Sequence, residues 1–116
     1  MKNQYLIFRI ETQLYAIDCS KFDLEPTQIN KVIKEKNNSS VTDSKILYKS
    51  KEVRVLDLGK LFNKKSLKKF DGLIFCSKNE KAIAIKFEGF FKYKKSLVDC
   101  ILLESDFIEE YMSIPV

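Results

Sequence analysis

Hydrophobic positions along this 116-residue chain come in short alternating runs separated by polar breaks. From Tyr5 to Ile10, the residues Leu6, Phe8 and Ile10 fall on one side, with Tyr5, Ile7 and Arg9 on the other. Glu11, Thr12 and Gln13 interrupt the run, and Leu14 to Ile17 resumes it. Because residues two apart share a strand face, this predicts an opening β-hairpin. Phe22 and Leu24 then alternate with Asp23 and Glu25 in a short extended piece. Pro26 suits the first position of a helix, and Ile29, Val32 and Ile33 follow at helical spacing, with Lys34 and Lys36 near its carboxyl end. A short helix is expected here, ended by the polar loop Asn37 to Ser40.

The stretch Lys45 to Phe62 organises the middle of the chain. Ile46, Leu47 and Tyr48 lead to a polar turn, after which Val53 and Val55 share one strand face with Glu52 and Arg54 on the other. Asp57 follows the strand, and Leu58, Leu61 and Phe62 recur at helical spacing. Asp57 is therefore expected to cap a helical turn, accepting from the amide of Gly59 or Lys60. Asn63 to Lys69 carries four lysines and reads as a solvated connector. Beyond it, Leu73 to Cys76 and Ala82 to Phe87 form a third predicted hairpin, apolar enough for burial on both faces. Gly89 allows a bend before Phe90 and Phe91, and Leu97 to Leu103 is a further strand, broken at Asp99. Ser105 can cap a last helix that places Phe107, Ile108, Tyr111 and Met112 on one face. Many short strands and brief helices predict a mainly β, barrel-like single domain spanning residues 1–116.

Composition narrows the function classes. A hydrophobic content of 45%, with nine Phe and five Tyr, suits a packed core rather than disorder. The formal net charge is +5, but its cations are lysines apart from Arg9 and Arg54. Lysine is a poor choice for bidentate phosphate or base recognition. With no histidine, Cys–His and Ser–His pairs are excluded, and zinc would need ligands the chain lacks. No phosphate loop or nucleophile–base pair can be assembled, so no enzyme and no cofactor are expected. Cys19, Cys76 and Cys100 lie among apolar neighbours and read as buried reduced thiols. No run is long enough for a membrane span, and Tyr5 to Phe8 is too short for a signal core, so the cytoplasm is the expected compartment.

The order of these motifs resembles the CheW-like domain, the adaptor module of bacterial chemotaxis signalling. YLIFRI at Tyr5–Ile10 with LYAID at Leu14–Asp18 gives the first match. The most specific is ILYKSKEVRVLDLGKLF, similar to the family's Asn-Leu-Arg-Gly turn, Val/Ile strand and Asp-Leu ending. LIFCSKNEKAIAIKFEGFF is similar to a later hairpin ending in an aliphatic-acidic-Gly segment. Ser50 stands in place of the turn glycine and Arg54 in place of a proline. The resemblance implies a pair of small five-stranded β-barrels with short helices. It also implies a non-catalytic scaffold that bridges a histidine kinase's regulatory domain and the cytoplasmic tips of chemoreceptors. By position, Phe22, Leu24 and Lys49 would face the receptor, whereas Val53 and Val55 would build the first barrel near the kinase-facing surface. The family's usual further hairpin is missing after Leu103. Either the second barrel is rudimentary, or an exposed strand edge is completed by self-association.

One rival reading comes from Phe90, Phe91 and Tyr93 among Lys92, Lys94 and Lys95. An aromatic–basic run on a small barrel could stack on single-stranded nucleic acid. The plainer reading is an edge strand with its lysines in water.

Overall fold

The computed structural model describes residues 4–28, 44–63 and 70–113. In chain order these form β1 (Tyr5–Ile10), β2 (Gln13–Asp18), β3 (Asp23–Gln28), β4 (Ser44–Tyr48), β5 (Lys51–Leu56), α1 (Leu58–Asn63), β6 (Gly72–Lys78), β7 (Lys81–Lys94), β8 (Cys100–Leu102) and α2 (Ser105–Met112). The long strand β7 holds two groups of strands together. Its first half pairs antiparallel with β6 and parallel with β5, while its second half pairs antiparallel with β1. With β3 beside β6 and β4 beside β5, the first half belongs to a group of five strands. On the other side, β2 and β8 extend the sheet from β1, the β2–β8 pairing being parallel. No described backbone pairing joins β3 to β4, or β8 to β7, so the sheet stays open. The expected mainly β fold is present as two linked, barrel-like groups of strands that are incompletely closed.

Alternation along β6 and β7 explains how one sheet serves two cores. Ile74 and Cys76, with Ile83, Ile85 and Phe87, join Leu6, Phe8, Ile10 and Ile17 in the core between the two groups. Leu73, Phe75 and Ala84 point the opposite way and meet Val53 and Val55 inside the five-stranded group. The expectation that this hairpin is buried on both faces is met. Each fully buried large side chain contributes roughly 1.5–3 kcal/mol, so the two cores are the main source of stability. Helix α2 closes the first core by burying Ile108 and Met112.

Gly89 performs the bend expected of it. The β1–β7 register jumps from Phe8↔Phe91 to Arg9↔Glu88, leaving Gly89 and Phe90 in a bulge. Gly89 has φ +73, and a Cβ there would approach Arg9 Nη2 at 2.7 Å. Polar groups hold the bulge: Glu11 donates its backbone N–H to Glu88 Oε1 at 2.5 Å, and Gly89 donates its own to Asp71 Oδ2.

Several expectations need correction. Pro26 does not start a helix; it lies within β3, opposite Ile74. A proline is tolerated there because, among the described residues, β3 pairs on one side only, and an edge strand does not need every amide for its ladder. The rest of the expected helix, residues 29–36, and residues 64–69 of the lysine-rich connector lie outside the described residues. Ser105 is the first helical residue rather than the cap; Glu104 occupies that place without a side-chain hydrogen bond. Strand β8 is shorter than the Leu97–Leu103 run, and Asp99 just before it has φ 58. Only Cys76 of the three thiols is fully buried, whereas Cys19 and Cys100 are half-buried.

Candidate docking surface at the junction of the two sheets

The partner-binding residues expected from the sequence fall into inner and outer sets. Val53 and Val55 lie inside the five-stranded group, at 4% and 3% exposure, so they shape that barrel without reaching its surface. Phe22 is 6% exposed and belongs to the core between the sheets. The Lys78 ammonium lies 5.6 Å from the Phe22 ring centre and is bonded at 2.6 Å to Glu109 of α2. A partner would meet Val53 and Val55 only through the surface they support. Leu24 and Lys49 remain accessible.

Leu24 lies on one face of β3, and Lys49 sits in the hairpin that meets the other face. Leu24 pairs with Cys76 and leans on the inter-sheet core. Its neighbour Glu25 pairs with Phe75 on the other face, where Tyr48 stacks on Phe75 with ring centres 4.2 Å apart. The Tyr48 hydroxyl donates to Glu25 Oε1 at 2.8 Å, tying the β4–β5 hairpin to β3 by side chains. Burial, with the bond to the Glu25 carboxylate, pushes the Tyr48 hydroxyl pKa up. Lys49 follows in the turn, its ammonium 5.1 Å from the Tyr48 ring centre. Lys49 and Ser50 have φ 53 and 67, the pair of positive values that a two-residue hairpin turn of the right twist requires.

On the Leu24 side opens a groove of about 720 Å3 between the end of β2, the start of β3 and the end of β7. Its lining includes Gln4, Cys19, Asp23 and Tyr93 besides Phe22 and Leu24. Burial and the nearby Asp18 carboxylate raise the Cys19 pKa, with the N-terminal charge opposing them, so this thiol is a weak nucleophile at neutral pH. Polar rim and apolar floor suit recognition of a protein surface better than bond-making chemistry. Sequence reasoning found Phe22 and Leu24 but missed Cys19 and Tyr93. Those two come together only because β2 and the end of β7 both pair with β1.

A second groove, of about 450 Å3, lies beside the β1–β2 turn. Phe62 and Ile101 stand on its rim at 43% and 47% exposure. Stacked rings run from it into the core, with Phe62 at 5.8 Å from Tyr15 and Tyr15 at 5.9 Å from Phe8. The helical spacing of Leu58, Leu61 and Phe62 had signalled this α1 face without showing that Phe62 stays half outside.

Asp57 is the cap expected of it, accepting from the Lys60 amide at 3.0 Å through Oδ1. Its other oxygen has a role the sequence did not reveal: Oδ2 lies 3.3 Å from the ammonium of Lys86, both side chains being buried. Lys86 also stands over the Phe70 ring at 4.9 Å. The signal was present, since Lys86 falls in phase with Ala82 and Ala84 on an apolar strand. The aromatic–basic run of β7 does not form a stacking platform. Phe91 turns to the inter-sheet core, edge-on to Phe87 and Tyr93, while Phe90 is exposed. Among the described residues no cluster of metal-ligating side chains occurs, and no helix is long and apolar enough to cross a membrane.

No family model and no curated protein sequence matches the chain. Among solved structures, the fold is similar to that of the scaffolding protein TtCheW from Thermoanaerobacter tengcongensis, with a TM-score of 0.61 and 17% identity. The match covers 80% of this chain and 61% of that one, so the chain spans under two thirds of its neighbour's length. At that identity the likeness is one of architecture: these linked, incompletely closed sheets are a CheW-like fold.

Proposed function

We propose that the protein is a non-catalytic adaptor of chemotaxis signalling, coupling the regulatory domain of a histidine kinase to the cytoplasmic tips of chemoreceptors. The observation that carries this reading is the CheW-like pairing of sheets with a groove at their junction, lined by Phe22 and Leu24, with Lys49 in the hairpin that Tyr48 ties to the other face of β3. In this reading Leu24 supplies an apolar contact on a floor held by Phe22. Lys49 supplies a charge that tunes on-rate and specificity. Val53 and Val55 hold the barrel wall against which a kinase domain would rest. The mechanism is positioning, without bond chemistry, in the bacterial cytoplasm where such partners reside.

Lys49→Glu is expected to weaken receptor-tip binding about tenfold while leaving the fold intact, because the turn is exposed and the change reverses a charge. Titration of the variant against a receptor tip tests this, and unchanged affinity would remove Lys49 from the surface. Self-association through an open strand edge is the other partner expected. It predicts a sedimentation coefficient that rises with protein concentration, and a concentration-independent monomer would exclude it. Single-stranded nucleic acid is not favoured, given that Phe91 packs against the inter-sheet core.

A further inference from the structure

From Phe91 to Lys94, β7 has β1 on one side and no described strand on the other, because β6 stops pairing at Phe87. Beyond the Gly89–Phe90 bulge, where Asp71 holds the Gly89 amide, these four strand residues leave the backbone groups of alternate positions without a described partner along one edge. The side chains along it are strongly biased in charge. Lys92, Lys94 and Lys95 are exposed, and none has a carboxylate partner among the described residues. Phe90 and Tyr93 are exposed at 52% and 45%, and the Lys92 ammonium lies 5.5 Å from the Phe90 ring centre.

We propose that this edge binds an acidic, extended segment of another protein, which adds a strand beside β7. The unpaired backbone supplies hydrogen bonds independent of sequence, and the lysines at alternate positions select carboxylates at matching two-residue spacing. A second copy of this edge is a poor occupant. Antiparallel pairing centred on Tyr93 sets Lys92 opposite Lys94, and pairing centred on Lys92 sets lysine against itself, both destabilising. Nucleic acid would use the charge but not the backbone edge. The edge meets the groove beside Leu24 at Tyr93, but Lys92 and Lys94 lie outside that lining, so substituting them tests this edge separately from the adaptor reading.

The test uses the full chain and fluorescein-labelled eight-residue peptides alternating Glu with Thr or Val. A lysine version, a version N-methylated at alternate residues and a single-stranded oligonucleotide serve as comparisons. Binding of the acidic peptide at low salt, with backbone amide shifts confined to residues 91–94 and their β1 neighbours, is expected. The N-methylated peptide should lose at least tenfold in affinity, as should the Lys92→Glu/Lys94→Glu variant, whereas Lys49→Glu should not. Equal binding of the N-methylated peptide would show charge attraction alone and overturn the proposal. So would competition by the oligonucleotide at equal affinity, dimerisation that shifts the same amides without peptide, or no binding of the acidic peptide at all.

Discussion

Lys49 and Ser50 hold adjacent left-handed backbone conformations without a glycine, and Asn79 and Glu80 do the same in the β6–β7 turn, with φ 51 and 67. Such conformations cost most L-residues about 1–2 kcal/mol, asparagine less. Ser50→Gly and Glu80→Gly should each stabilise the protein by about 1 kcal/mol, after the glycine's own entropic cost, visible as a rise of a few degrees in Tm. Asp57→Ala removes both a helix cap and the carboxylate facing the buried Lys86 ammonium. Roughly 3–5 kcal/mol of stability should be lost in denaturant unfolding, with much of it recovered when Lys86→Met is added. Burial pushes the Cys76 thiol far above its ordinary value of 9.0. The folded state then keeps a proton that the unfolded chain releases, so stability is full below about pH 9 and falls above it. Cys76→Ala should flatten that alkaline decline in pH-dependent unfolding. The Asp57 cap was legible because capping is local, and the Lys86 pair was not because its partners are 29 positions apart.

Strand β7 does at the scale of elements what two separate strands were expected to do. The sequence showed an apolar run to Phe87, a glycine and an aromatic pair, and the structure joins them into one bent strand. Gly89→Ala should cost about 2 kcal/mol, chiefly because of its positive φ. The nearby Arg9 Nη2 ends a flexible side chain, so adding Arg9→Ala should not rescue stability in chemical denaturation. Hairpins were legible from period-two alternation in β1–β2 and β4–β5 and from continuous apolar runs in β6–β7, where pairing is between neighbours in sequence. The parallel pairings β2–β8 and β5–β7 were not, since they depend on distant chain segments meeting. Pro26 misled for a related reason: a proline at a helix start and one on an edge strand look alike until β6 is in place.

Across the whole molecule, one strand shared by two sheets builds two cores and leaves a groove and open edges between them. The fold class was legible from strand count and motif order. Of the surface, Leu24 and Lys49 are accessible, while Phe22, Val53 and Val55 are inside, because alternation marks which residues share a face but not which face meets solvent. The groove itself could not be read, as Cys19 and Tyr93 reach it from strands joined only through β1. The adaptor reading requires that this architecture still engages its partners. Its most direct test is calorimetric titration of the protein with a kinase regulatory domain and a receptor tip from the same cell, repeated with Leu24→Asp and Lys49→Glu. The account predicts saturable binding to at least one of the two, weakened about tenfold by a groove-side substitution whose unfolding midpoint shows the fold intact. A natively folded protein that binds neither partner would contradict it.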